Sequence, residues 1–179
     1  MKKVIAAAVL QLLTVVPFLI GVFVVLTYGA DAERAAEAEV VRQGFPAGIL
    51  AENGISFAGS EGLAIVLVVI LVALALLNLA GRRIGPILSW IFQPVLLVMG
   101  VVIIPGQLFT EKLLAQVPAL ARLDVHALVE AASGAMPGWL PYVNVAKLVL
   151  TTAGSVAVIV LLALPSSRAC FRVSRPVSG

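Results

Sequence analysis

The side chains with the clearest potential for chemistry lie close together in the second half of the chain. His126 and Glu130 are four positions apart, so on a helix they share one face and supply half of a metal site. Asp124 precedes them and is a third acid–base candidate. The chain has one histidine and one cysteine, Cys170. Because no second His or Cys lies nearby, we expect a solvent-exposed pair and predict no metal, no cofactor and no catalytic residue.

A second set of polar side chains lies inside long apolar runs and consists of Gln11, Thr14, Gln93 and Ser155. At 1.5 Å per residue, Gln11, Gln93 and Ser155 fall at a similar depth of about 10–14 Å from the same side of the membrane, which predicts one polar layer. The layer could line a conduit or binding site, or it could join helices through hydrogen bonds of about 0.6 kcal/mol each. We favour helix packing, because no intramembrane Asp, Glu or Arg accompanies the layer.

Four other residues inside these runs have a predicted structural role. Pro17 and Pro94 each remove a backbone donor, and we interpret them as static kinks rather than as hinges or gates. Lys147 is the one formal charge in the runs, and its stem is long enough to carry the ammonium to the membrane interface. Trp90 is too deep for an interfacial belt, so we expect it to pack against a neighbouring helix.

The composition explains why these residues must be held in a membrane. Hydrophobic residues make up 61% of the 179 positions and charged residues 12%, with a mean hydropathy of +1.13. A soluble domain has roughly 45–50% apolar and about 25% charged residues. The net charge is +3, but the basic residues flank apolar runs, so we predict no nucleic-acid partner. Lipid must therefore contact much of the surface.

Four apolar runs are long enough to cross a bilayer core, which takes roughly 20 helical residues. They predict an all-α membrane protein with a four-helix transmembrane bundle in one integral membrane domain, residues 1–179. The first run exceeds the roughly 7–15 residues of a signal-peptide core, so we expect a retained helix. The predicted spans are residues 4–28, 63–80, 84–105 and 143–164, with outer segments 29–62 and 106–142 and a tail at 165–179.

The distribution of charge predicts the orientation. On one side of the predicted membrane all charged residues are basic, namely Lys2, Lys3, Arg82, Arg83, Arg168, Arg172 and Arg175. All nine acidic residues lie on the other side. Basic residues stay in the cytoplasm, so we predict a multi-pass protein of the cytoplasmic membrane with both termini inside.

The first outer segment opens with a polar, alanine-rich stretch, for which Asp31 is the predicted N-cap and Gly44 the predicted stop. Phe45-Pro46 breaks this helix. The residues that follow are too apolar for a solvated loop, so we expect them on the membrane interface or against a partner. Ser60 and Glu61 are the predicted cap of the second span.

The second outer segment predicts two short amphipathic helices lying on the membrane surface, one from Thr110 and one after Asp124. The two outer segments are long compared with the inner link, so contact with a partner is expected on the outer side. The predicted partner-facing residues are Phe45, Ile49, Leu50, Phe57, Leu113, Leu114 and Trp139.

Four spans, inside termini and two outer loops resemble the topology of tetraspan and claudin-type proteins. The outer cysteines of those families are absent, and Trp139 is the only outer tryptophan. In its Ala/Val/Leu/Gly-rich composition, size and topology the chain is similar to small accessory subunits of actinobacterial envelope complexes, such as the Mce-type lipid importers. That resemblance implies a role in the cell envelope and in lipid transport.

These observations lead to one main functional hypothesis. We expect a non-catalytic accessory or stabilising subunit of a larger cytoplasmic-membrane complex, such as a lipid or solute transport system. Its predicted partners are membrane lipids, other integral membrane subunits and an extracytoplasmic component. The alternative is a small self-associating transporter or channel with a polar layer around Gln11 and Gln93. A membrane enzyme using Asp124, His126 and Glu130 is the third alternative.

Overall fold

The computed structural model describes residues 2–58, 61–81 and 84–164, and the regular secondary structure in these residues consists of helices without strands. Four helices are long and apolar enough to cross a membrane, which confirms the predicted fold class. Ser60, Arg82, Arg83 and the tail with Cys170 lie outside the described residues. The helices are α1 (Lys2–Arg42), α2 (Ile49–Glu52), α3 (Glu61–Leu79), α4 (Ile84–Leu108), α5 (Thr110–Leu114), α6 (Val125–Gly134) and α7 (Leu140–Ala163), with a 3-10 turn at Pro118–Leu120.

The four membrane-crossing helices form a bundle in which α1 packs on α3 and α7, and α4 packs on α7 and α3. Apolar side chains fill its interior, among them Val15, Phe18, Leu71 and Leu96. Large apolar side chains also cover the outside, as expected where lipid replaces water. Trp90 is 45% exposed on this outer surface. About half of the residue is thus left uncovered by the protein, and its packing against a neighbouring helix stays a prediction.

Helix α1 is about twice as long as a bilayer is thick. Its 41 residues span roughly 60 Å at 1.5 Å each, against a hydrocarbon core of about 30 Å. The helix passes through Asp31 without interruption, so the predicted N-cap is wrong. The reason is local, since Ala, Glu and Arg continue the helix with high propensity. It ends at Arg42, directly before the turn at the predicted stop, Gly44, which has a φ of 85°.

The far half of α1 is the support for a second hydrophobic core. We call the distal subdomain the part built from residues 29–42 of α1, α2, α5, the 3-10 turn and α6. Ala36 and Val40 of α1 are buried against Leu50, Leu120 and Leu128. The apolar faces that the sequence predicts on the membrane surface thus largely pack on each other. A rigid helix that projects beyond the membrane makes this possible, because it offers them a surface away from lipid.

Candidate functional site

Three polar side chains meet inside the bundle and join three helices. The Gln11 amide in α1 donates to the Ser89 hydroxyl in α4 at 3.2 Å. The Asn78 amide in α3 donates to Gln11 Oε1 at 3.1 Å and to Ser89 Oγ at 3.0 Å. Each of the three residues is 1% exposed. We call this group the polar cluster. Its hydrogen bonds satisfy polar atoms that lipid cannot satisfy.

One atom of the polar cluster has no hydrogen bond. Asn78 Oδ1 is buried without a partner. It lies against Gly85 at the start of α4, where a Cβ atom would come within 2.8 Å of this oxygen and 2.9 Å of the Asn78 backbone nitrogen. The two helices can approach this closely only because residue 85 has no side chain.

The predicted polar layer is buried, but its hydrogen bonds differ from the expected ones. Gln11, Thr14, Gln93 and Ser155 are 1%, 5%, 2% and 3% exposed. Gln11 bonds to Asn78 and Ser89, and Thr14 donates to the carbonyl oxygen of Leu10 in its own helix at 2.9 Å. Sequence reasoning did not connect Ser89 with this layer. Its signal was available, since Ser89 lies one helical turn before Gln93 on the same face of α4.

Lys147 is held inside the bundle and not at the lipid-facing surface. The residue is 7% exposed. Its ammonium donates to Asn144 Oδ1 at 3.3 Å and lies 5.5 Å from the centre of the Phe18 ring. A Cβ atom on Gly21 would come within 3.3 Å of the same nitrogen. The expected snorkelling to the interface is therefore wrong, because α1 offers a polarisable ring and a gap at the α1–α7 contact.

In the distal subdomain, a carboxylate fixes the loop that leads back to the membrane. Glu33 Oε2 accepts hydrogen bonds from the backbone amides of Phe57 at 2.6 Å and Ala58 at 3.0 Å, and from the Ser56 hydroxyl at 3.1 Å. Bonds to an ionised acceptor are stronger than neutral ones. Residues 55–58 thereby become part of the α1 surface instead of a solvated loop.

A second set of polar contacts joins the end of α1 to the start of α6. The Gln43 amide accepts from the Asp124 backbone N–H at 2.7 Å and donates to the Asp124 carbonyl at 3.2 Å. Asp124 Oδ1 in turn accepts from the Ala127 N–H at 3.1 Å, so it caps α6 as predicted. Glu39 accepts from Arg42 and from Gln43. These bonds set the angle between α6 and α1.

The histidine contacts a different acid from the one its spacing suggested. His126 Nδ1 lies 3.3 Å from Glu111 Oε2 of α5, and the two side chains are 74% and 52% exposed. The contact raises the pKa of His126 above its usual 6.5, chiefly through the bond to Glu111. Among the described residues, no group of three or more His, Cys, Asp or Glu side chains is arranged to hold a metal ion.

The residues predicted to face a partner fall into three groups in the structure. Leu50 and Leu114 are buried in the distal core, so their side chains are not accessible to a partner. Phe45, Ile49 and Phe57 are half-buried against that core. Leu113 and Trp139 are 50% and 47% exposed. The sequence marked all of them as apolar outside the spans, but it could not show which ones pack on each other.

Comparison with known proteins identifies no relative of this chain. No family model matches the chain, and no curated protein or solved structure shows significant similarity to it. The functional argument therefore depends on the geometry of the chain itself.

Replacing Glu33 with alanine should free the loop that it holds. The Phe57 and Ala58 amides would lose an ionised acceptor worth about 1.5 kcal/mol, and their hydrogen exchange should accelerate about tenfold. Exchange measured by mass spectrometry over residues 55–58 checks this. Glu37→Ala is the matched control, because Glu37 is one turn further along α1 and has no bond to this loop in the described structure. Equal exchange in both variants would contradict the assigned role of Glu33.

The His126 pKa should be raised in the folded protein and should fall towards 6.5 in Glu111→Gln. The raised pKa means that the stabilising contact is complete below about 6.5 and is lost as pH rises through the folded value. The effect on stability should be small, because both groups are mostly exposed. A single histidine in the chain makes its imidazole resonance unambiguous in an NMR titration. A pKa that is unchanged in Glu111→Gln would exclude this pairing.

Proposed function

We propose that this protein is a non-catalytic accessory subunit of a larger complex in the cytoplasmic membrane. The observation that carries the proposal is the continuity of α1, which belongs both to the membrane bundle and to the distal core. A subdomain mounted in this way has a fixed position and orientation above the bilayer. That geometry suits a part that holds another component in place.

The orientation is part of the same proposal. Both termini lie in the cytoplasm, since basic residues remain on that side of a membrane. The distal subdomain then faces an extracytoplasmic component. A lipid or solute transport system is the class of complex that the topological resemblance implies. Fused to the C-terminus, a reporter enzyme that works only in the cytoplasm should be active. A reporter enzyme that works only outside the cytoplasm should be inactive at the same position.

The contacts of the residues that were candidates for catalysis or binding favour a structural role for these residues. Asp124 caps α6, and His126 contacts Glu111 on the surface. In the bundle, Gln11, Asn78 and Ser89 bond to one another. Side chains engaged with one another in this way favour a scaffold over an enzyme.

The tip of the distal subdomain is the surface best placed for a partner. Arg42 is 14 residues beyond Tyr28, which places the end of α1 roughly 20 Å beyond the predicted membrane boundary. Val41 is 52% exposed there, and Phe45 and Ile49, which follow it in the chain, are half-buried against the distal core. An apolar residue at this distance from lipid is suited to a protein contact.

Purification of the tagged protein from its native membranes in mild detergent tests this proposal. It should recover a membrane partner in fixed stoichiometry. Val41→Asp should reduce the recovered partner severalfold, whereas Val41→Ile, which keeps an apolar side chain, should not. A stable protein that recovers no partner, or equal recovery in both variants, would contradict the proposal.

One observation favours the alternative of a small self-associating transporter. Gln11, Asn78, Ser89 and Gln93 are all buried within the membrane bundle, and Asn78 Oδ1 has no hydrogen-bond partner there. Protein reconstituted in vesicles should then conduct a small cation such as K⁺, and Gln93→Leu or Gln11→Leu should change the rate. Flux that neither substitution alters would count against a path through this layer.

A further inference from the structure

Helix α5 begins at the level where α4 leaves the membrane. One residue, Phe109, separates the end of α4 at Leu108 from the start of α5 at Thr110. The 25 residues of α4 span roughly 37 Å, a little more than a bilayer core. The first turn of α5 therefore lies among the phospholipid headgroups and cannot rise far above them.

Two large apolar side chains of this turn are exposed. Phe109 is 53% exposed and Leu113 is 50% exposed. They are four positions apart, and the Leu113 N–H donates to the Phe109 carbonyl at 3.1 Å, so they share one side of the turn. Leu114, the next residue, is 7% exposed and belongs to the distal core. The turn thus has one side packed on the distal core and one side that is about half exposed.

The exposed side of α5 lies next to the outer surface of α4. A Cβ atom on Gly106 would lie 3.5 Å from the Leu113 side chain, so Leu113 lies back along the last turn of α4. Val101 and Val102 of α4 are 58% and 67% exposed on the lipid-facing surface. An apolar surface therefore runs along α4 and continues onto α5.

The charges of α5 are separated between its two sides. The Lys112 ammonium lies 5.5 Å from the centre of the Phe109 ring, on the exposed side. Glu111 contacts His126 of α6, within the distal subdomain. A cation beside exposed apolar side chains, with the neighbouring acid directed elsewhere, matches a surface of phosphate groups over hydrocarbon.

We propose that Phe109 and α5 form a membrane-surface anchor. Phe109 and Leu113 insert between phospholipid headgroups, and Lys112 binds their phosphate groups. The anchor holds the distal subdomain against the bilayer at α4, as α1 holds it from the other side. It is independent of any partner complex, so it can be true whether or not the proposed function is.

Depth measurements on spin labels test the anchor in the full chain. After Cys170→Ser, single cysteines are placed by Leu113→Cys, Phe109→Cys and, as the matched control, Gln116→Cys, an exposed residue of the same segment. In phospholipid nanodiscs, labels at 109 and 113 should collide with oxygen rather than with a water-soluble nickel chelate, and the label at 116 should do the reverse. Labels at 109 and 113 that reach the nickel chelate as readily as 116, or that reach neither reagent because protein covers them, would overturn the proposal. Two labelled sites keep the test valid if one variant does not fold.

The phosphate contact has its own measurement. Adding phosphatidylglycerol to phosphatidylcholine nanodiscs should move the label at 113 deeper in the membrane. Lys112→Gln should abolish this shift, and Lys112→Arg, which keeps the charge, should preserve it. A shift that persists in Lys112→Gln would refute the role of Lys112.

Discussion

Leu128→Ala should destabilise the distal subdomain by about 2–5 kcal/mol, the usual cost of removing a fully buried leucine side chain. Leu128 is 0% exposed and lies in the same core as Ala36, Val40 and Leu50. The cavity would lie between α6 and the projecting half of α1, where no lipid can fill it. Hydrogen exchange over residues 125–134 and a denaturant titration in detergent measure the effect.

Which helices lose protection from hydrogen exchange in Leu128→Ala is as informative as the total loss of stability. Because the distal core and the bundle share only α1 and short connections, we expect α6 to exchange faster while α3, α4 and α7 stay protected. Val41→Ala is the control, since it shortens an exposed apolar side chain of the same subdomain. Unchanged protection of α6 in Leu128→Ala would mean that the distal subdomain does not depend on this core.

The second large effect is expected at the contact between α4 and α7. A Cβ atom on Gly100 would come within 2.9 Å of Thr151 Cγ2 and 3.2 Å of Thr152 Cγ2. Thr151 cannot rotate away at little cost, because its hydroxyl donates to the Lys147 carbonyl at 2.6 Å and the residue is 1% exposed. Gly100→Ala should therefore cost about 1–3 kcal/mol, as overpacking usually does, seen as a lower midpoint of thermal unfolding in detergent.

A double substitution separates this clash from other effects of the glycine. Thr151→Ser removes the methyl group but keeps the hydroxyl, so Gly100→Ala combined with Thr151→Ser should recover part of the lost stability. Gly62→Ala in α3 is the control, because a Cβ atom there meets nothing within 4 Å. Identical losses in Gly100→Ala and Gly62→Ala would show that the contact is not tightly packed.

Leu128→Ala and Gly100→Ala also bear on function through the coupling of the two cores. If the distal subdomain is a docking platform, Leu128→Ala should weaken recovery of the partner more than Gly100→Ala does at equal overall stability. Leu128 lies in the subdomain that would carry the partner, and Gly100 lies in the bundle that anchors it. The opposite order would favour the bundle as the functional part, as the transporter alternative requires.

The candidate site was only partly visible in the sequence. Gln11 stands out as a polar residue in an apolar run, and its burial follows from that. Its partners Asn78 and Ser89 depend on which faces of α3 and α4 turn inward, and depth alone suggested Gln93 and Ser155 instead. Lys147 shows the same limit. Its stem length predicts an escape to the interface, whereas the Phe18 ring and the gap at Gly21 hold it inside.

What the sequence determined by itself is the set of membrane-crossing helices and their approximate limits, because a run of about 20 apolar residues is a property of consecutive positions. It also determined the stop at Gly44 and the cap at Asp124, which depend on neighbouring residues. Only the tertiary structure decided that α1 continues past the membrane as the spine of a second core, and which polar side chains meet. Those outcomes depend on contacts between residues far apart in the sequence, such as Gln11 and Ser89, which are 78 positions apart, and a pattern of neighbouring residues carries no information about them.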